Sequence, residues 1–151
     1  MRGKPCSHPG KPLENHLINT RDTALLIAGH YGLTITEMEQ AALLMHDLGK
    51  AHPAFQKRLC RSCQASGTCS DVCRQALSNN AYTGHAAPSA ALVMAMTNSV
   101  ILAEAVRRHH GALQDLDEIK SYWINGDYTE RIKELEAIYT WPPVLLSVQY
   151  S

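Results

Sequence analysis

The chain has 151 residues, sets 14 Lys and Arg against 14 Asp and Glu, and is 45% hydrophobic, which suits one domain with a packed core. The charge balance leaves no acidic or basic tail to mark a nucleic-acid or membrane partner, although a neutral domain can still carry a local basic patch. No apolar run reaches the roughly 20 residues of a membrane span and the opening MRGKPCSHPGKP lacks the apolar stretch of a signal peptide, so the expectation is a soluble, cytoplasmic protein with no membrane partner.

In chain order, SHPGKP reads as an extended entry. Leu17, Ala24, Leu25 and Ala28 recur at helical spacing, which predicts a helix from Leu13 to about Tyr31, closed by Gly32. Thr34 or Thr36 can start the next helix, and Thr36 followed by Glu39 has the capping-box spacing. That helix is predicted to run through EMEQAALLMHDLG and to stop at Gly49. Pro53 restarts a short helix, PAFQKRL. Residues 59–74 are small, polar and irregular, and read as an insertion between helices.

SNNAYTGH is a predicted loop. APSAALVMAMTNSVILAEAVRRHHG carries the longest helical signal, broken near Thr97 to Ser99 and stopped by Gly111. A charged helix from about Asp115 to Tyr122 and another from about Thr129 to Tyr139 follow, and Pro142-Pro143 opens the apolar segment VLLSVQYS. There is no alternating strand pattern of useful length and no internal repeat. The expected fold class is all-α, with residues 1–151 forming one domain.

Four of the five cysteines crowd into CRSCQASGTCSDVC, a C-x2-C-x5-C-x3-C pattern. The thiolates of Cys60, Cys63, Cys69 and Cys73 can close a tetrahedral zinc site in a loop too polar to order itself. An iron–sulfur cluster and free or oxidised thiols are the alternatives. Such a closed site is structural, with no open position for catalysis. Cys6 is spare.

Eight histidines are many for this length. The informative ones are His16, His46 with Asp47 beside it, His85, and the pair His109-His110, most of them near predicted helix ends, where side chains can converge on one cleft. Neutral imidazole suits Fe, Mn, Ni, Co or Zn. The two oxygens of an aspartate can bridge two metals, and two metals roughly 3.5–4 Å apart clamp the attacking and leaving oxygens of a phosphoryl centre. Neighbouring histidines point about 100° apart on a helix, so His109 and His110 can serve one metal only at a helix end or turn. A lone histidine is usually an ordinary surface or core residue; it is the ordered series that argues for a site. His8, His30 and His52 fall outside it and read as surface or supporting residues.

HDLGK resembles the signature of the HD-domain phosphohydrolases. The longer HDLGKAHPAFQ is similar to the HD nuclease domain of the type I CRISPR-associated helicase-nuclease, fused or stand-alone. LENHL, GHAAPSA and RRHHG resemble that family's other motifs, although glutamate more often follows the histidine of the third. The resemblance covers nearly the whole chain except the cysteine insertion and implies an HD helical bundle. It implies one metal position held by His16, His46 and Asp47, and a second held by Asp47, His85, His109 and His110, with Asp47 bridging. Lys50 would bind or neutralise the scissile phosphate.

The implied activity is metal-dependent hydrolysis of single-stranded DNA in CRISPR antiviral defence, with Fe, Mn, Ni or Co as cofactor. The implied partners are a CRISPR helicase domain, fused or separate, and a surveillance complex. Lys50, Lys57, Arg58, Arg61, Arg107 and Arg108 are candidates to track a phosphate backbone, or an ordinary solvated face. The family carries a further aspartate ligand in a late motif that no residue here matches; Asp115, Asp117 and Asp127 come too early, and VLLSVQYS reads as the start of the helix that precedes it, as in a truncated chain. Two other readings stand beside this one: an HD phosphohydrolase of nucleotides or cyclic nucleotides, and a zinc-stabilised binding or scaffold module without catalysis.

Overall fold

The capping box at Thr36 forms as its spacing predicts. The Thr36 hydroxyl accepts from the Glu39 N–H, and the Glu39 carboxylate accepts from the Thr36 N–H at 2.7 Å, so two donors that a helix start leaves orphaned are satisfied locally. This detail belongs to a computed structural model that describes residues 5–8, 10–52, 55–56, 59, 84–112, 115–125 and 128. The described residues are mostly helical: α1 spans Leu13–His30, α2 Glu37–Met45, α3 Ala86–Thr97, α4 Val100–Arg107 and α5 Leu116–Ile124. The all-α expectation holds. No helix among the described residues is long and apolar enough to cross a membrane.

The predicted break between α3 and α4 falls at Asn98, which adopts φ 49° and closes α3, while Ser99 caps α4 by accepting from Leu102 N–H. Asparagine tolerates this left-handed conformation better than most residues. α3 buries Pro88 through Val93 without interruption, the signature of a helix at the centre of a bundle. Leu13 and Leu17 of α1, Leu44 and Met45 of α2, and Ala103 and Val106 of α4 pack around it, and Trp123 of α5 completes the core.

Two features differ from the sequence expectation. SHPGKP is not merely extended: Cys6–His8 (β1) pairs antiparallel with Lys11–Pro12 (β2) through a register irregularity. The hairpin is too short to leave an alternating pattern, and its anchor is remote. The side-chain amide of Gln56 donates to Cys6 O at 2.8 Å while its oxygen accepts from Cys6 N–H at 2.9 Å.

The second difference concerns α2, which ends at Met45 rather than at Gly49. His46 is its C-cap, Asp47 turns the chain, and Leu48–Ala51 forms a 3-10 turn. The Gly49 N–H donates to the Ser89 hydroxyl at 2.8 Å. Gly49 is required for another reason than stopping a helix. A Cβ there would lie 2.1 Å from the carbonyl oxygen of His85, so only glycine lets the two backbones meet. Phe55 and Gln56 are helical, in keeping with a short helix after Pro53. The cysteine insertion, the helix expected near Thr129 to Tyr139 and VLLSVQYS lie outside the described residues.

Candidate metal centre

The early end of α2 lets His46 and Asp47 leave the helix at different angles and meet side chains from three other segments. Asp47 is 2% exposed and lies at the floor of the cluster. On one side its Oδ2 contacts Lys50 Nζ at 2.7 Å, His16 Nε2 at 2.8 Å and His46 Nε2 at 3.4 Å. On the other, Oδ1 lies 3.0 Å from His85 Nε2 and 3.2 Å from His109 Nε2. His110 Nε2 stands 3.1 Å from His85 Nε2. The helix α4 has ended at Arg107, so His109 and His110 sit on a turn, which lets both face one point. The cluster opens to solvent on their side.

Two groups of donors result, each within 4.8 Å of one another: His16, His46 and Asp47, and Asp47, His85, His109 and His110. The structure thus brings together the six residues singled out in the sequence and gives Asp47 a place in both groups. Either group can hold a metal ion by donor type and spacing.

The tautomers favour this. His46 Nδ1 lies 2.7 Å from the carbonyl oxygen of Leu43, and His109 Nδ1 lies 2.6 Å from that of Val106. A carbonyl can only accept, so each Nδ1 carries the proton and, in the neutral ring, each Nε2 presents its lone pair toward Asp47. Asp47 Oδ1 is buried and makes no hydrogen bond, although two imidazole nitrogens stand within contact distance. A buried carboxylate oxygen that faces ring nitrogens without a hydrogen bond fits a cation between them.

Burial pushes the Asp47 carboxyl up, but the imidazoles of His109, His46 and His85 and the Lys50 ammonium outweigh it and hold the group well below the usual carboxylate range. Asp47 is therefore a carboxylate at any working pH. Burial lowers His16, against the opposing pull of Asp47, and burial together with His109 and His85 lowers His110. Contact with Asp47 raises His109 despite burial, so in the metal-free protein a proton competes for this ring.

Lys50 belongs to the interior. It is 6% exposed, its ammonium is held by Asp47, and its carbonyl accepts from Gln56 at 2.6 Å. Arg107 and Arg108 are committed elsewhere. Arg107 donates twice to the buried Glu104, at 2.7 Å each, and stacks 4.1 Å over Tyr122, while Arg108 approaches the same carboxylate at 3.4 Å. They serve the packing of α4 against α5 rather than an open phosphate track. His8 sets its ring 5.5 Å from that of His16, and His30 packs on Tyr31. Neither joins the clusters, nor does His52. Asp115 caps α5. Lys57, Arg58, Arg61, Cys60, Cys63, Cys69, Cys73 and Asp127 lie outside the described residues.

Three supporting residues escaped the sequence reading. Ser89 joins the turn after Asp47 to His85. Gln56 fastens the hairpin to Lys50. Glu104 accepts from Trp123 Nε1 at 2.9 Å and docks α5 beneath the turn that carries His109. Ser89, inside GHAAPSA, and Gln56, at the end of HDLGKAHPAFQ, lay in stretches already marked, and Glu104 did not.

Residues 11–141 match the family described as Cas3, HD domain. No curated protein and no solved structure matches the chain.

Proposed function

The chain belongs to the family of Cas3 HD domains, metal-dependent HD nucleases of CRISPR systems, and from that membership we propose that it hydrolyses phosphodiester bonds of single-stranded DNA at a two-cation centre. The observation that carries the reading is Asp47: a buried carboxylate whose two oxygens face separate sets of imidazoles, one oxygen with no hydrogen bond. In this reading Asp47, His16 and His46 would hold one cation, and Asp47, His85, His109 and His110 the other.

A pair of divalent cations, when bound, would supply Lewis acidity at a phosphate and lower the pKa of a bound water. The chain supplies the rest. Asp47 stays ionised and offsets positive charge at the floor. His46 and His109 hold their lone pairs inward because backbone carbonyls fix their outer protons. Lys50 offers an ammonium to a phosphate oxygen. Ser89 is no nucleophile: its hydroxyl is engaged by Gly49 N–H and the His85 carbonyl. Fe, Mn, Ni or Co suits the imidazole-rich donor set. A CRISPR helicase and a surveillance complex are the proposed partners, and they would deliver the single strand to the solvent-open side.

The test is incubation of the chain with circular single-stranded DNA, duplex DNA and a nucleotide panel, each with Mn, Ni, Co, Mg or EDTA. Nicking of the single-stranded circle with a transition metal, abolished by EDTA and by Asp47→Ala, is the expected result. Cleavage confined to nucleotides would overturn the DNA assignment, and cleavage unchanged in Asp47→Ala would overturn the site.

A further inference from the structure

The two sides of Asp47 are not equivalent in the metal-free protein. Oδ2 is engaged by the Lys50 ammonium at 2.7 Å and by His16 Nε2 at 2.8 Å. Oδ1 makes no hydrogen bond. A cation arriving at Oδ1 displaces no ammonium. A cation arriving at Oδ2 must compete with Lys50 for the same oxygen, against a like charge.

Lys50 cannot leave with its backbone. Its N–H donates to Asp47 O at 2.9 Å and its carbonyl accepts from the fully buried Gln56 at 2.6 Å. Only the side chain can swing, and its ammonium already borders the Phe55 ring, 5.8 Å from the centroid, a face that stabilises a cation.

Resting on the reading of the cluster as a two-cation centre, we propose that Lys50 makes its two positions unequal. The position of His85, His109 and His110 fills first, and the position of His16 and His46 fills only as Lys50 gives up Asp47 Oδ2. Lys50 is thus a gatekeeper of metal stoichiometry and not solely a phosphate contact.

The test is a Mn2+ titration of the full chain, with free ion followed by electron paramagnetic resonance. Mn2+ is chosen because thiolates ligate it poorly, so the cysteines stay out of the readout. The wild-type chain should bind two ions whose constants differ by about tenfold or more. His110→Ala should remove the tighter class and His16→Ala the weaker. Lys50→Met should tighten the weaker class by about tenfold while moving the tighter by about threefold at most. Lys50→Gln repeats the experiment should Lys50→Met fail to fold by circular dichroism. One ion bound by the wild-type chain and two by Lys50→Met would also support the proposal. Two classes that neither Lys50 variant changes would overturn it and leave the two-cation reading intact. No Mn2+ bound by any folded form would overturn both.

Discussion

Ser89 ties Gly49 to His85. Its hydroxyl accepts from the Gly49 N–H at 2.8 Å and donates to the His85 carbonyl at 2.7 Å, with no exposed surface. One side chain thereby sets the distance between the turn that carries Asp47 and the segment that delivers His85. Ser89→Ala removes both the acceptor of the Gly49 N–H and the donor to the His85 carbonyl, at a cost of about 1–3 kcal/mol. Urea unfolding should show that loss, and the Gly49 amide should exchange faster than in the wild-type chain. An unchanged midpoint with unchanged exchange would contradict the tie.

Gly49→Ala should be worse. The added Cβ would sit 2.1 Å from a backbone oxygen, and backbone cannot step aside as a flexible side chain can. The relief is a shift of the His85 segment away from Asp47. We expect a stability loss of about 1–3 kcal/mol together with weaker Mn2+ binding, the latter read from the same titration. Wild-type metal binding in a folded Gly49→Ala chain would show that the close approach is unnecessary.

Glu104 contributes to the acid limb of stability. Burial pushes its carboxyl up, but Arg107 and Trp123 outweigh it, so its pKa lies below the ordinary 4.5. A group depressed on folding contributes stability above its unfolded pKa, lost as pH falls through the folded one. Glu104→Gln keeps an acceptor for Trp123 but loses the charge. The variant should be less stable by about 1–3 kcal/mol at pH 7, and the gap should close as the pH is lowered below 4.5. Thermal melts of both chains across that range test this; a constant gap would refute it.

Metal affinity should fall on acidification in a defined order. Asp47 raises His109 above its ordinary 6.5, whereas burial lowers His16 and His110 below it. Protons therefore compete first at His109, and binding should begin to weaken at a pH above 6.5. Mn2+ constants measured from pH 8 downward, with His109→Gln as the control that lacks this limb, decide the matter. Affinity that stays flat until well below pH 6 would contradict it.

The cluster residues were legible because imidazoles and an aspartate in that order are uncommon, and because HDLGK and RRHHG lie in short local stretches. The Thr36 cap was legible for a similar reason, since its partner is three residues away. Ser89, Gln56 and Glu104 were not. They are ordinary polar residues whose partners stand 40, 50 and 19 positions off, and nothing local distinguishes them from solvated side chains. The end of α2 was misplaced by four residues' worth of apparent helix because the pull of Ser89 on Gly49 is a tertiary effect. The same holds for Arg107 and Arg108, which look like free cations until Glu104 is placed beneath them.

His46 and His109 each donate their outer proton to a carbonyl three residues earlier, in the turn where their helix ends. The choice of which ring nitrogen faces inward is therefore made within one turn of chain, before distant segments meet. No proton has to cross either ring once the cluster has closed. What closure then creates is an assembly of electron-rich atoms turned on one another around Asp47 Oδ1. A cation held there would relieve that opposition and so complete the folded cluster.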